Sequence, residues 1–376
     1  MQSLVSSNIQ NKRVIFRVDY NVPINSKGIV ENDARIMASK PSLDYLLSHA
    51  NKVIIITYLG RPEKYDPSFS LKPVAKKLQE LYPDYNVILV DNFINDDSSL
   101  INQKEKEIIL LENIRFYPEE QKNNEDYIKK IAGYADVFVN DAFSMSHRNE
   151  ATITGLPRYL PSYAGFLLEK EVTVLKKALE GKGKPRITVL GGAKVSTKIQ
   201  LIERFIDVSD YVLLGGALAN TFLATQGQKM GASLYEKNFV QMAGQLISKA
   251  KQSSCTLLLP TDFITNKEGA ILDIGTKTIE QYTNIIAKAH TIIWNGTMGY
   301  YEDPNYRAGS DAIFSAIAAN HRALSIIGGG DTLAILQNKQ KDQLNRISHI
   351  STGGGAMLEL IENGTLPGIE ALTTVR

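Results

Sequence analysis

Cysteine is almost missing from this sequence of 376 residues, where Cys255 stands alone. A single thiol closes no internal disulfide and builds no multi-cysteine metal site, which excludes a disulfide-stapled secreted fold and a structural zinc centre. In the run Cys255-Thr256-Leu257-Leu258-Leu259 it reads as a small buried hydrophobe rather than a nucleophile. A dominant charge is lacking too. The 42 Lys+Arg face 40 Asp+Glu, a net charge of +2, which does not point to nucleic acid or an acidic membrane surface as partner. No apolar run approaches the length that spans a bilayer. The start, Met1-Gln2-Ser3-Leu4-Val5-Ser6-Ser7, lacks the apolar stretch of a secretory signal. The expectation is a soluble, cytoplasmic protein. Histidine is scarce, and His49, His147, His290, His321 and His349 show neither metal spacing nor a Ser-His-Asp set. Neither a Walker A loop nor a Gly-x-Gly-x-x-Gly dinucleotide turn occurs.

What is present is an ordinary globular composition, 43% hydrophobic and 22% charged, in a chain too long for one core, so two domains are expected. Short runs rich in Val and Ile recur throughout. In the first half they are Val14-Ile15-Phe16, Val53 to Ile56, Val87 to Val90, Ile108 to Leu111 and Val137-Phe138-Val139. In the second half they are Ile187 to Leu190, Tyr211 to Leu214, Thr256 to Leu259, Thr291 to Trp294, Leu324 to Ile327 and His349-Ile350. They read as strands buried on both faces of parallel sheets. Between them, stretches such as Leu71 to Leu81 and Val195 to Ile206 carry apolar residues at helical spacing. The fold class is α/β, with a boundary near Glu180-Gly181-Lys182-Gly183-Lys184-Pro185.

The residues that follow the strands differ between the halves. The first half offers Arg17-Val18-Asp19-Tyr20-Asn21, Leu59-Gly60-Arg61-Pro62, Glu112-Asn113-Ile114-Arg115 and Asn140-Asp141-Ala142-Phe143. The second offers Gly191-Gly192-Ala193-Lys194, Gly215-Gly216, Asn295-Gly296, Gly328-Gly329-Gly330-Asp331 and Ser351-Thr352-Gly353-Gly354-Gly355. Ligands of open α/β sheets bind at the carboxyl ends of strands, so the division implies two different ligands. Arg17, Arg61 and Arg115, with Arg35 and Arg148, suit a small, multiply charged anion; singly, each also reads as a surface or salt-bridged arginine. The glycine turns, with Lys194 and Lys198 close behind, suit a polyphosphate. Asp331 suits a magnesium ion beside phosphates, and equally the cap of a helix starting at Thr332. Without a general base, such a set fits phosphoryl transfer to or from a carboxylate, a nucleophile already ionised near neutral pH.

The segment Arg17-Val18-Asp19-Tyr20-Asn21-Val22-Pro23 resembles the signature heptapeptide of phosphoglycerate kinases. The resemblance continues through Leu59 to Pro62, Leu111 to Phe116, Asn140 to Phe143, Gly191 to Ser196, Trp294-Asn295-Gly296, Gly328 to Thr332 and Ser351 to Ala356, in the family order. Val195-Ser196-Thr197-Lys198 and Ala219-Asn220-Thr221-Phe222 look like the bacterial branch. The resemblance implies two Rossmann-like α/β/α domains with parallel sheets, facing across a cleft and joined by a hinge helix. The expected division is 1–165, an interdomain helix at 166–180, 181–355, and a tail, 356–376, returning to the first domain. It implies that 3-phosphoglycerate is held by Asp19, Asn21, Arg35, Tyr58, Gly60, Arg61, Arg115 and Arg148, with Arg17 in the same basic patch. The nucleotide site is implied at Lys198, Gly216, Gly275, Gly296, Glu302, Gly329, Gly330, Asp331 and Thr332. Glu302 would meet the ribose and Asp331 the Mg2+ that accompanies ATP or ADP. Lys194 would follow the migrating phosphoryl group, with Arg35 the other catalytic residue. The implied reaction is direct in-line transfer on domain closure by a monomer acting on small molecules, with no nucleic acid and no membrane.

Departures from the family pattern are also legible. Tyr58 stands where the family has His, which removes a possible cation, and Ser144-Met145-Ser146 replaces Gly-Thr-Ala. Glu150 replaces His or Gln, adding negative charge near an anion site. Thr297 replaces a Pro after Asn295-Gly296, which is expected to loosen that turn. Tyr58 and Glu150 motivate a rival reading, a catalytically silent relative that binds nucleotide. A two-domain Rossmann dehydrogenase is the other rival, and the missing dinucleotide turn counts against it.

Overall fold

The computed structural model describes residues 1–337 and 339–373. The chain forms two compact units, one made of Met1–Val172 and the segment that begins at Thr365, the other of Thr173–Gly364. The boundary between Val172 and Thr173 falls inside the helix Phe166–Glu180.

The first unit is built on a six-stranded sheet of β1 (Arg13–Arg17), β2 (Lys52–Ile56), β3 (Asn86–Val90), β4 (Glu107–Leu111), β5 (Val137–Asn140) and β6 (Ser162–Ala164), in the order β3-β4-β2-β1-β5-β6. Every pairing is parallel. Successive side chains of a strand point to opposite faces, yet Val14, Ile15 and Phe16 are all fully buried, so both faces of β1 are covered. That is the burial the unbroken apolar runs predicted, each such side chain contributing about 1.5–3 kcal/mol. The edges differ. β3 is only half-buried, and the short, polar β6 carries no such run. Its outer side is closed where the Ala164 amide donates to the Gln2 carbonyl at 2.9 Å, a common way of blunting an edge.

The second unit repeats the plan with β7 (Arg186–Leu190), β8 (Tyr211–Leu214), β9 (Thr256–Leu258), β12 (Thr291–Asn295), β13 (Leu324–Ile327) and β14 (His349–Ile350), ordered β14-β13-β12-β7-β8-β9. These pairings are parallel as well. A separate antiparallel pair, β10 (Phe263–Thr265) and β11 (Ile271–Ile274), was not legible as strands. Its turn is closed by Asn266 Oδ1, which accepts from the amides of Glu268 at 3.1 Å and Ala270 at 2.8 Å.

The chain crosses from one side of the sheet to the other at β1/β5 in the first unit and at β7/β12 in the second. Register places Arg17 opposite Asn140 and Leu190 opposite Asn295. The exits of both pairs therefore open into crevices at the carboxyl ends, where ligands of such sheets bind.

Two expected boundaries shift. The helix expected from Val195 begins at Ile199. Ser196 is held off it by Glu236, whose carboxylate accepts from the Ser196 amide at 2.9 Å and its hydroxyl at 2.5 Å; β-branched and hydroxyl residues also enter helices less readily. The tail expected from 356 starts later. The helix Gly355–Asn363 packs on Ile199–Val208 within the second unit, burying Ala356, Met357, Leu360 and Ile361. Only from Thr365 does the chain belong to the first unit, where the Gly368 amide donates to the Ser146 carbonyl at 2.8 Å. Residues 374–376 of the expected tail lie outside the described residues. Among the described residues no helix is long and apolar enough to cross a membrane.

Tyr282 ties the second sheet together, its buried hydroxyl lying 2.8 Å from the Leu214 carbonyl and 3.1 Å from that of Leu258. Tyr282→Phe leaves both buried carbonyls short of a donor and is expected to lower stability by about 1–2 kcal/mol, read as an earlier transition of the second unit by circular dichroism.

Candidate functional site

The first unit gathers its arginines at the exits of β1, β2 and β4. Asp19 is the organiser. Its Oδ2 accepts from Arg35 Nη1 at 2.5 Å and from the Ser144 hydroxyl, and its Oδ1 accepts from the Asn21 amide at 3.0 Å. Asn21 Oδ1 in turn accepts from the Gly60 amide at 2.9 Å, and the Gly60 carbonyl accepts from Arg115 Nη1 at 2.7 Å. Arg115 lies 3.9 Å over the Tyr58 ring and 4.0 Å from the Glu150 carboxylate. Arg61 and Arg148 are exposed at the neighbouring turns.

Burial would lower the Arg35 pKa, but Asp19 and Tyr58 outweigh it and the guanidinium is held above its usual range. Burial lowers that of Arg115, with Tyr58 and Glu150 opposing. The Tyr58 hydroxyl is pushed up to about 12 by burial and by Asp19, against the pull of Arg17, Arg115 and Arg35. Both remain neutral phenol and charged guanidinium near pH 7.

Arg17, expected in the same basic patch, lies on its buried side, 5.5 Å from the Tyr58 ring. It is fully buried, with Nε donating to Thr152 Oγ1 at 2.9 Å and Nη1 to the Val18 carbonyl at 2.5 Å, while Nη2 has no partner. Thr152 also donates to Glu120 at 2.7 Å, and burial raises the Glu120 carboxyl to about 7. Arg17 underlies the cluster rather than facing outward with it. Ser144 was read only as a departure, and the structure makes it a partner of Asp19.

In the second unit the turns after β7 and β12 interlock. The Gly191 amide donates to the Asn295 carbonyl and the Gly192 amide to the Thr297 carbonyl, each at 2.9 Å. Two glycines are required by this crossing. Gly216, at φ +63, would bring a Cβ to 2.7 Å from the Gly192 carbonyl, and Gly296, at φ +88, to 2.3 Å from that of Gly191. In the turn that Thr297 is expected to loosen, its hydroxyl donates to the Gly299 carbonyl at 2.8 Å.

Beside the crossing lies a cavity of about 410 Å3, lined by Gly192, Gly216, Ala217, Leu272, Met298 and Tyr300, with Glu302 and Asp331 among its polar lining residues. That size and lining suit a planar organic ligand. A smaller one, about 160 Å3, is lined by Lys198, Gly296, Gly329, Gly330, Asp331 and Thr332. Asp331 lines both. Gly275 lines neither; its amide donates to the Asp262 carbonyl at 2.8 Å. Thr332 is buried and its Oγ1 accepts from the Gly296 amide at 2.6 Å. Lys194 is exposed on the same turn as Gly192. Ala217, Leu272 and Met298 were missed by sequence reading, since nothing local marks an apolar wall assembled from a helix, a strand and a loop.

Asp331 does not cap its helix. That helix begins at Gly330, before Thr332, and its N-cap is Gly329, so the carboxylate is left exposed in the first turn. Among the described residues no group of three or more His, Cys, Asp or Glu forms a metal cluster. One hard oxygen donor beside a phosphate-sized recess fits magnesium, which keeps its waters and takes few protein ligands. Lys198 Nζ donates to the Gly191 carbonyl at 2.8 Å. Burial lowers its pKa to about 8, with Asp331 opposing.

A pair of parallel-sheet units, one presenting arginines and the other glycine turns with a lysine and a lone carboxylate, defines a two-unit α/β phosphotransferase. The chain belongs to the phosphoglycerate kinase family: the model of that family, described as phosphoglycerate kinase, matches residues 4–364. It is 41% identical over 394 residues to the phosphoglycerate kinase of Finegoldia magna, covering 99% of this chain and 98% of that one. To that of Gloeobacter violaceus it is 40% identical over 403 residues, covering 99% and 98%. Among solved structures, phosphoglycerate kinase from Coxiella burnetii superposes with a TM-score of 0.89 at 36% identity, covering 99% of this chain and 98% of that chain. The enzyme from Pyrococcus horikoshii gives 0.83 at 32%, with the same coverage. The chain is a phosphotransferase with a carboxyl group as acceptor.

The Lys198 amine is expected to titrate with a midpoint near pH 8, below surface lysines, in competitive acylation read by mass spectrometry. Asp331→Asn, which removes the opposing charge, is expected to move that midpoint lower.

Proposed function

We propose that this chain transfers a phosphoryl group reversibly between 1,3-bisphosphoglycerate and ADP, giving 3-phosphoglycerate and ATP. The observation that carries this reading is the separation of charge between the units. Fixed arginines around Asp19 and Asn21 answer a small acid bearing a phosphate and a carboxylate. The largely apolar cavity that Glu302 and Asp331 also line answers a nucleotide.

In this reading Arg35, Arg61, Arg115 and Arg148 bind the acid, with Asp19, Asn21 and Gly60 fixing their geometry. Gly216 and its neighbours leave room for the base, and Glu302 accepts from the ribose. Lys198, Gly296, Gly329 and Gly330 line the recess for the phosphates, and Thr332 holds the turns that form it. Gly275 supports the strand end beside the cavity. Asp331 would hold Mg2+, which when bound neutralises phosphate charge.

The attacking carboxylate is already ionised, so no general base is needed. Catalysis consists of positioning and charge compensation. Lys194, exposed and free to follow a moving charge, compensates the group in transit, and Arg35, held by Asp19, does so from the acid's side. Ligands held on separate units must be brought within reach of each other with water excluded. The same reading has the chain working in the cytoplasm as a monomer. Its exposed large apolar side chains, such as Val5, Ile29, Ile101 and Leu234, are scattered, and its buried Cys255 is an unpaired thiol.

Purified protein with MgATP is expected to turn over 3-phosphoglycerate but not 2-phosphoglycerate, with the acyl phosphate product coupled to NADH oxidation. No turnover from protein that still binds MgATP would leave the silent nucleotide-binding relative. Lys194→Ala and Arg35→Ala are each expected to cut kcat by about a hundredfold or more with circular dichroism unchanged; near wild-type rates in both would remove the assignment. The KM for MgATP is expected to rise as pH passes upward through about 8, where Lys198 loses its proton. Lys198→Arg, charged at every working pH, should flatten that rise.

A further inference from the structure

The family pattern has a histidine at position 58, and this chain places there an aromatic ring on which guanidinium groups converge. Arg115 lies 3.9 Å over the ring centroid and Arg17 5.5 Å from it. Tyr58 also lies near enough to Arg35 to favour its charged form. The ring is 4% exposed, so these contacts are shielded from water, where a cation over a π face gains most.

Arg115 needs such a contact. Its remaining anchors are the Gly60 carbonyl at 2.7 Å and Glu150 at the outer limit of an ion pair, 4.0 Å, and its Nε is buried without a partner. Nearby Arg17 and Arg61 repel it. A histidine cation at position 58 would add to that repulsion. A neutral phenol instead offers an electron-rich face to Arg115 and adds no positive charge. We propose that Tyr58 is a positioning residue: its ring holds Arg115 in the geometry that receives the acid before the acid arrives. The order it imposes on that long side chain is order that binding would otherwise have to supply. Glu150 serves the same end as a weak counter-charge on Arg115. The inference rests on the arginine cluster being the 3-phosphoglycerate site.

The test is steady-state kinetics of the full chain. Tyr58→Leu, which removes the π face and the hydroxyl, is expected to raise the KM for 3-phosphoglycerate about three- to tenfold, leaving the KM for MgATP within about twofold. Tyr58→Phe, which keeps the ring face, is expected to recover most of that loss. In an Arg115→Ala background, Tyr58→Leu should lose most of its effect, since residues acting through one another are not additive. If Tyr58→Leu melts too early to assay, Tyr58→Met offers a flexible apolar filling without a π face. An unchanged KM for the acid in the folded variant, an equal change for both substrates, or full additivity with Arg115→Ala would each overturn the proposal. Arg61→Ala separates the two levels, because Arg61 is exposed and outside the ring contacts. If Arg61→Ala and Arg115→Ala both leave the KM for the acid unchanged, the site assignment fails and the Tyr58 proposal with it. If they raise it and Tyr58→Leu does not, only the role of Tyr58 falls.

Discussion

Parallel pairing is the constraint on which the rest depends. When all strands of a sheet run one way, every exit turn lies at the same edge, whatever the distance along the chain between them. Arg17 opposite Asn140 and Leu190 opposite Asn295 are consequences of backbone hydrogen bonding. From these registers follows the meeting of Asp19 with Ser144, and of Gly191 with Thr297. The covered faces of β1 and β7 hold the registers, since a slip by one residue would exchange the faces to which packed Val, Ile and Leu side chains point.

On these edges each unit solves an electrostatic problem before any ligand is present. Like charges close together repel, and the first unit offsets this with Asp19, Glu150, the Gly60 carbonyl and the Tyr58 ring. None is a full bidentate ion pair on every guanidinium, so charge remains for an incoming anion. The second unit keeps its charges few. Lys198 is turned inward onto a carbonyl, and Asp331, which lines the same recess, opposes the lowering of its pKa. Arrangements of this kind favour phosphoryl transfer, in which fixed charges and dipoles do the catalytic work.

Much of this was legible in the chain. The strand runs, the two-unit plan and the contrast between arginine exits and glycine exits could be read directly, because burial on both faces imposes continuous apolar runs and tight crossings impose glycine. The motif Arg17 to Pro23 carried the family likeness. The sites themselves were legible only in part. Arg17 belongs to the motif yet lies beneath the cluster, paired with Thr152. Ser144 is legible only as a departure and Thr297 as a loosened turn, yet both supply hydroxyls that bond within the sites. Ala217, Leu272 and Met298 wall a cavity without any local mark of it. The hairpin of β10 and β11 was missed because short, half-exposed strands carry no unbroken apolar run.

The sequence by itself determined the class of fold, the number of units and the chemical character of each ligand, since hydrophobic periodicity and residue type act locally and survive in the unfolded chain. Only the tertiary structure decided which charges are spent inside the protein and which are left for a ligand. Asp19 meets Arg35 and Ser144, Glu150 meets Arg115, and Tyr58 lies against guanidiniums from separate strand exits. Those pairings depend on distances set by sheet register and on burial, and neither quantity exists until the chain has folded.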